Sequence, residues 1–85
     1  MSAAALLTAA KAKGVMLATA ESCTGGMLSA VITDIPGSSA IFDRAFVTYT
    51  NTAKIEMLDV KQATLDAHGA VSEEVAAQMA AGTLR

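Results

Sequence analysis

The chain has 85 residues, with six basic, eight acidic and one histidine, for a net charge of −2. It has no basic run, which excludes the electrostatic footprint of a nucleic-acid-binding protein, and no apolar stretch reaches the ~18 residues that a membrane span needs. One cysteine makes no internal disulfide, so a reducing cytoplasm fits best.

Apolar residues make up 53% of the chain. That is high for a domain of this size, which hides only roughly 60–65% of its unfolded surface. Either small residues pack tightly between helices, or apolar surface is meant for a partner or for a further part of the domain. Large exposed patches are rare on isolated monomers, which favours the second.

Ala3–Lys13 reads as a helix, with Leu6, Leu7 and Ala10 on one side, basic residues in its last turns and Gly14 as its stop. Val15–Ala20 reads as a strand apolar on both faces, which suits a central parallel strand. Gly25–Thr33 reads as a second helix with Met27, Leu28, Val31 and Ile32 as its buried stripe. Pro36 keeps Ile35 out of the helical region, so Asp34–Ser39 is a turn. Ser39–Arg44 reads as a short helix and Ala45–Thr50 as a second strand. Asn51 is placed to cap a helix over Thr52–Leu58. Gln62–His68 is a further helical turn or two, stopped by Gly69. Ser72 caps a last helix with Glu73 and Glu74 in its first turn and Val75, Ala76, Met79 and Ala80 inward. A strand, a crossover helix and a second strand imply a parallel pair. Two strands alone leave open edges, so the sheet reads as incomplete or completed by a partner.

The most informative stretch is Thr19-Ala20-Glu21-Ser22-Cys23-Thr24-Gly25-Gly26, where the first strand turns into the second helix. A helix start presents unpaired N–H groups and a positive dipole end, and glycines let the backbone approach an anion or an oxyanion. Ser22 is the first candidate nucleophile, and a serine needs a base. His68 precedes a helix-stopping glycine and has the look of a helix C-terminal residue. Lys54 is the better base. It lies in the first turn after Asn51, where a cation opposes the local dipole, and such violations concentrate at functional sites. An exposed surface lysine is the plain alternative. Tyr49 closes the second strand, beside the C-terminal edge of the first, where parallel sheets bind ligands. Its hydroxyl could relay a proton, or it is an ordinary half-buried strand tyrosine. Cys23 is the rival nucleophile, with an inert thiol as its plainer reading. Glu21 could bind a substrate amide or form an ion pair. Thr24, Gly25 and Gly26 could hold a phosphate, although the signal is weak alone. No His/Cys/Asp/Glu cluster has metal-ligand spacing, so no metal site is expected.

Thr19–Gly26, then Pro36-Gly37-Ser38-Ser39, then Phe46-Val47-Thr48-Tyr49 with Asn51 and Lys54, then His68-Gly69-Ala70-Val71-Ser72 together resemble the CinA C-terminal domain, the competence/damage-inducible protein family. The resemblance runs through nearly the whole chain. It implies a three-layer α/β/α sandwich with a mostly parallel sheet, of which this chain carries the N-terminal half. It also implies the activity of the family's amidase members, which hydrolyse the carboxamide of nicotinamide mononucleotide to the acid and ammonia without an organic cofactor. Carried over residue by residue, the family's serine, tyrosine and lysine fall on Ser22, Tyr49 and Lys54. Glu21, Cys23, Thr24, Gly25, Gly26 and Asn51 are then expected around the nucleotide substrate. The expected state is a homo-oligomer that binds neither nucleic acid nor membrane. The alternative is a non-catalytic interaction or nucleotide-binding module that pairs with another chain.

Overall fold

A computed structural model describes residues 2–84, and each of its helices starts where a side chain or a turn can start it. Ser2 Oγ accepts from the Ala5 amide at 3.1 Å and opens α1, Ala3–Lys13, which Gly14 closes. Strand β1, Leu17–Glu21, follows, then α2, Met27–Thr33. A single 3-10 turn, Ser38–Ala40, leads into β2, Phe42–Val47. Three helices complete the chain: α3, Asn51–Leu58, α4, Gln62–His68, and α5, Glu73–Thr83, the last capped by Ser72.

The two strands pair in parallel, as the crossover implies, and helices cover both faces of the pair. On one side Leu17 and Phe42 pack with Ala10 of α1, Ile32 of α2 and Ile41. On the other, Ala20 and Phe46 pack against Leu58, Val60, Leu65, Val75 and Met79. This is an α/β sandwich with a sheet of only two strands among the described residues. The molecule is long, 40 × 21 × 21 Å, with a Cα radius of gyration of 13.8 Å. A compact chain of this length measures ~12 Å.

The second strand corrects the sequence reading. The expected helix over Ser39–Arg44 shrinks to the 3-10 turn, and the strand runs three residues earlier than Ala45–Thr50. The cause is a bulge. Leu17 pairs with Phe42, but Ala18 pairs with Arg44, so Asp43 is the extra residue. Strict alternation would place Phe42 and Phe46 on one face. The bulge reverses the phase between them and sends one ring into each core.

Three further expectations change. β1 begins at Leu17, leaving Val15 and Met16 exposed. In α2 only Ile32 is buried, while Met27, Leu28 and Val31 are 65%, 48% and 51% exposed, because no described element packs on that face. In α5 Val75 and Met79 are buried, but Ala76 and Ala80 face an open cavity.

The cap of α3 is also one residue earlier than expected. Thr50 Oγ1, not the Asn51 side chain, accepts from the Ala53 amide at 3.0 Å. Thr50→Ala is therefore expected to cost about 1 kcal/mol in denaturant unfolding, whereas Asn51→Ala stays within ~0.5 kcal/mol.

Candidate active site

The turn between β1 and α2 is shaped by its glycines and held by Glu21. Gly25 and Gly26 adopt φ of 62° and 114°, a region that other residues rarely enter, and the Gly25 amide closes the turn on Ser22 O at 3.0 Å. Gly26 stands at the N-cap of α2 with no side chain to cap it. Glu21 supplies the missing cap from the strand. Its Oε1 accepts from the Leu28 amide and from Thr24 Oγ1, both at 2.7 Å. Its Oε2 accepts from the Ser29 amide at 3.1 Å and from Ser29 Oγ at 2.7 Å. Since Ser29 Oγ gives its proton to the carboxylate, Thr19 Oγ1 donates to Ser29 Oγ at 2.7 Å.

Glu21 is 5% exposed. Burial raises its pKa, but hydrogen bonds from the Thr24 and Ser29 hydroxyls and the Leu28 and Ser29 amides outweigh burial and lower it to about 2. The folded value lies below the unfolded one, so Glu21 contributes stability that is fully present above ~4.3 and fades as pH falls toward about 2. Urea midpoints measured between about pH 6 and about pH 3 are expected to fall in the native chain and to fall less in Glu21→Gln.

This clasp changes one expectation. The start of α2, read from the sequence as presenting unpaired N–H groups, has its Leu28 and Ser29 amides already facing the chain's own carboxylate. The amides of Cys23, Thr24 and Gly26 donate to no acceptor among the described residues.

On the other side of Glu21, its carbonyl accepts from the Thr48 amide at 2.8 Å, which fixes the end of β2 and places Tyr49 beside the turn. Tyr49 O is where the predicted residues meet. Lys54 Nζ donates to it at 3.0 Å, and Ser22 Oγ reaches it at 3.5 Å. The Tyr49 side chain is 68% exposed. Lys54, expected to be either a base or a surface lysine, is only 2% exposed, and no carboxylate of the described residues pairs with it.

Ser22, Cys23, Tyr49, Asn51 and Lys54 line one open cavity of about 710 Å³, whose opposite wall is built largely from α5. The cavity does not include Glu21, Thr24, Gly25, Gly26 or His68. His68 instead lies 3.4 Å from Glu74, at the C-terminal end of α4. The cavity is therefore apolar along α5 and polar at one end, where a hydroxyl and an amine converge on one carbonyl. Such an end carries the hydroxyl and the amine that acyl-transfer chemistry uses. Among the described residues no three His, Cys, Asp or Glu side chains cluster as metal ligands, and no helix is long and apolar enough to cross a membrane. Sequence reasoning missed the Thr19–Ser29 link. The one available signal was a carboxylate just ahead of a helix whose N-cap is glycine.

Known proteins share both this sequence and this fold. The nicotinamide-nucleotide amidohydrolase of Escherichia coli strain K12 is 58% identical over 77 residues, covering 91% of this chain and 47% of that protein. A CinA-like protein of Chloroherpeton thalassium is 61% identical over 74 residues, 87% of this chain and 18% of that one. The crystal structure of a competence/damage-inducible protein from Agrobacterium tumefaciens superposes with a TM-score of 0.92 at 52% identity, over 96% of this chain and 50% of that one. A CinA-superfamily structure from E. coli gives a TM-score of 0.93 at 40% identity, over 96% and 48%. The chain thus spans about half the length of the amidohydrolase and of both solved relatives. The CinA C-terminal domain family model matches residues 1–85, and the chain belongs to that family.

Proposed function

We propose that this chain carries the catalytic half of a carboxamide hydrolase that acts on a nicotinamide nucleotide, with Ser22 as nucleophile and Lys54 as its base. One observation carries the reading: Ser22 Oγ and Lys54 Nζ converge on Tyr49 O at the polar end of the cavity. The 58% identity to a nicotinamide-nucleotide amidohydrolase supplies the substrate class.

In this scheme Lys54 Nζ takes the Ser22 proton as the hydroxyl oxygen attacks the amide carbon. The free amides of Cys23 and Thr24 stabilise the oxyanion, usually a large contribution in acyl transfer. Lys54 returns the proton to the leaving nitrogen, ammonia departs, and water hydrolyses the Ser22 ester. Tyr49 orients both groups through its carbonyl, and its phenol stands at the cavity to relay a proton. Asn51 and Cys23 contact the substrate from the cavity wall. Thr24, Gly25 and Gly26 shape the turn rather than clasp phosphate. No organic cofactor or metal takes part, and the reaction belongs in the cytoplasm.

Rapid acid quench of the chain with nicotinamide mononucleotide, followed by peptide mass analysis, tests the scheme. The expected result is an acyl adduct on the Ser22 peptide. An adduct on Cys23, or turnover unchanged in Ser22→Ala, would overturn it.

A second reading has its own observation. Met27, Leu28 and Val31 form an exposed face on α2, and among the described residues each strand has one neighbour only. In that reading the chain is a module that pairs with another chain through this face. A mass that stays monomeric over a wide concentration range in sedimentation would count against it and against a homo-oligomer.

A further inference from the structure

The geometry points to Glu21 as the positioning residue for Ser22: its carboxylate locks the nucleophile's turn to helix α2 while its carbonyl locks the same turn to the Tyr49 segment. The inference rests on the amidase reading for what Ser22 does, but not for how the turn is held.

The geometry is that of a clasp with two arms. The side-chain arm reaches forward to Leu28, Ser29 and Thr24. Thr24 is the link that matters for the nucleophile, because it lies inside the turn that begins at Ser22 and closes through the Gly25 amide. The backbone arm takes the Thr48 amide. One residue further on, Tyr49 O is the carbonyl that Ser22 Oγ and Lys54 Nζ share. Nucleophile, base and their common acceptor are thereby referred to one residue. Glu21 itself stays out of the cavity, and its carboxylate oxygens each already accept two bonds. A substrate contact would have to displace a helix cap, so the residue acts through the turn rather than on the ligand.

Amide hydrogen exchange on the full chain separates this role from simple capping. In Glu21→Gln the Leu28 and Ser29 amides and the Gly25 amide are expected to exchange at least ~10-fold faster. Thr24→Val cuts only the link into the turn, so Gly25 should speed up while Leu28 and Ser29 hold, and Thr24→Ser should restore it. Ser72→Ala removes the cap of α5 and serves as a control for general destabilisation. Where ammonia release is followed, Glu21→Gln should lower kcat and leave KM within about two-fold, because the residue does not line the cavity. If Gly25 exchanges at the native rate in both Glu21→Gln and Thr24→Val, or if Ser72→Ala accelerates it equally, Glu21 is only a helix cap. No ammonia release from the native chain would overturn the amidase reading alone, and Gly25 exchange would still decide the positioning role.

Discussion

Lys54→Met is expected to cut turnover by about a thousand-fold while leaving the fold intact or slightly firmer. Lys54 is buried to 2% exposure and makes one side-chain hydrogen bond among the described residues, to Tyr49 O. Methionine matches its length, fills the same space and needs no polar partner, so the packing around it survives. A swap that keeps the volume of a buried side chain usually costs under ~1.5 kcal/mol. A general base contributes ~10²–10⁴-fold to a rate, and among the described residues Ser22 has no other amine or imidazole beside it in the cavity. Activity and stability are thus expected to move apart, which a merely structural lysine would not produce. The check is ammonia release beside a urea midpoint for the same preparation. Turnover within about ten-fold of the native rate would show that the base is elsewhere.

Gly82→Ala is expected to have the largest effect on stability. Gly82 is buried in the last turns of α5, where it meets the end of α3. A Cβ there would lie 2.1 Å from Leu58 O and 2.7 Å from Leu58 C, which are backbone atoms with no rotamer to yield. Relief requires α5 to move off α3, and that move opens the core where Leu58, Val75 and Met79 pack. Alanine's better helix propensity returns only ~1 kcal/mol. A net loss of about 3 kcal/mol is expected, a large share of the ~4–13 kcal/mol typical for a chain of this length. The thermal midpoint should fall by more than ~10 °C. Because α5 also forms one wall of the cavity, ligand binding should weaken in the same variant. An unchanged midpoint would mean that the two helices can separate at little cost.

Much of the fold could be read from punctuation in the sequence. Gly14 ends α1, His68 and Gly69 end α4, and Ser72 opens α5 where expected, because caps and stops act within a few residues. What misled was action at longer range. Ser39–Arg44 reads locally as a short helix, and only the pairing partner reveals that the strand starts at Phe42 with Asp43 as a bulge. Met27, Leu28 and Val31 carry a core-like stripe, yet α2 has nothing on that face among the described residues, so periodicity alone overstates burial.

The site was legible as a set of residues and not as a set of contacts. Ser22, Tyr49 and Lys54 were singled out from local chemistry, and the structure brings them to one end of one cavity. The contact that joins them is a main-chain oxygen, on which side-chain identity is silent. Glu21 shows the same limit. As a lone carboxylate next to a nucleophile it invites a role in substrate binding, and only the three-dimensional position of Leu28 and Ser29 turns it into a cap.

The most direct measurement is ammonia release from nicotinamide mononucleotide by the chain, run beside Ser22→Ala and a protein-free blank. Release that vanishes with Ser22→Ala is the expected result and would establish that this chain assembles a working nucleophile and base. Release that persists in Ser22→Ala, or a folded native chain that releases none, would contradict the assignment of the cavity as an amidase site.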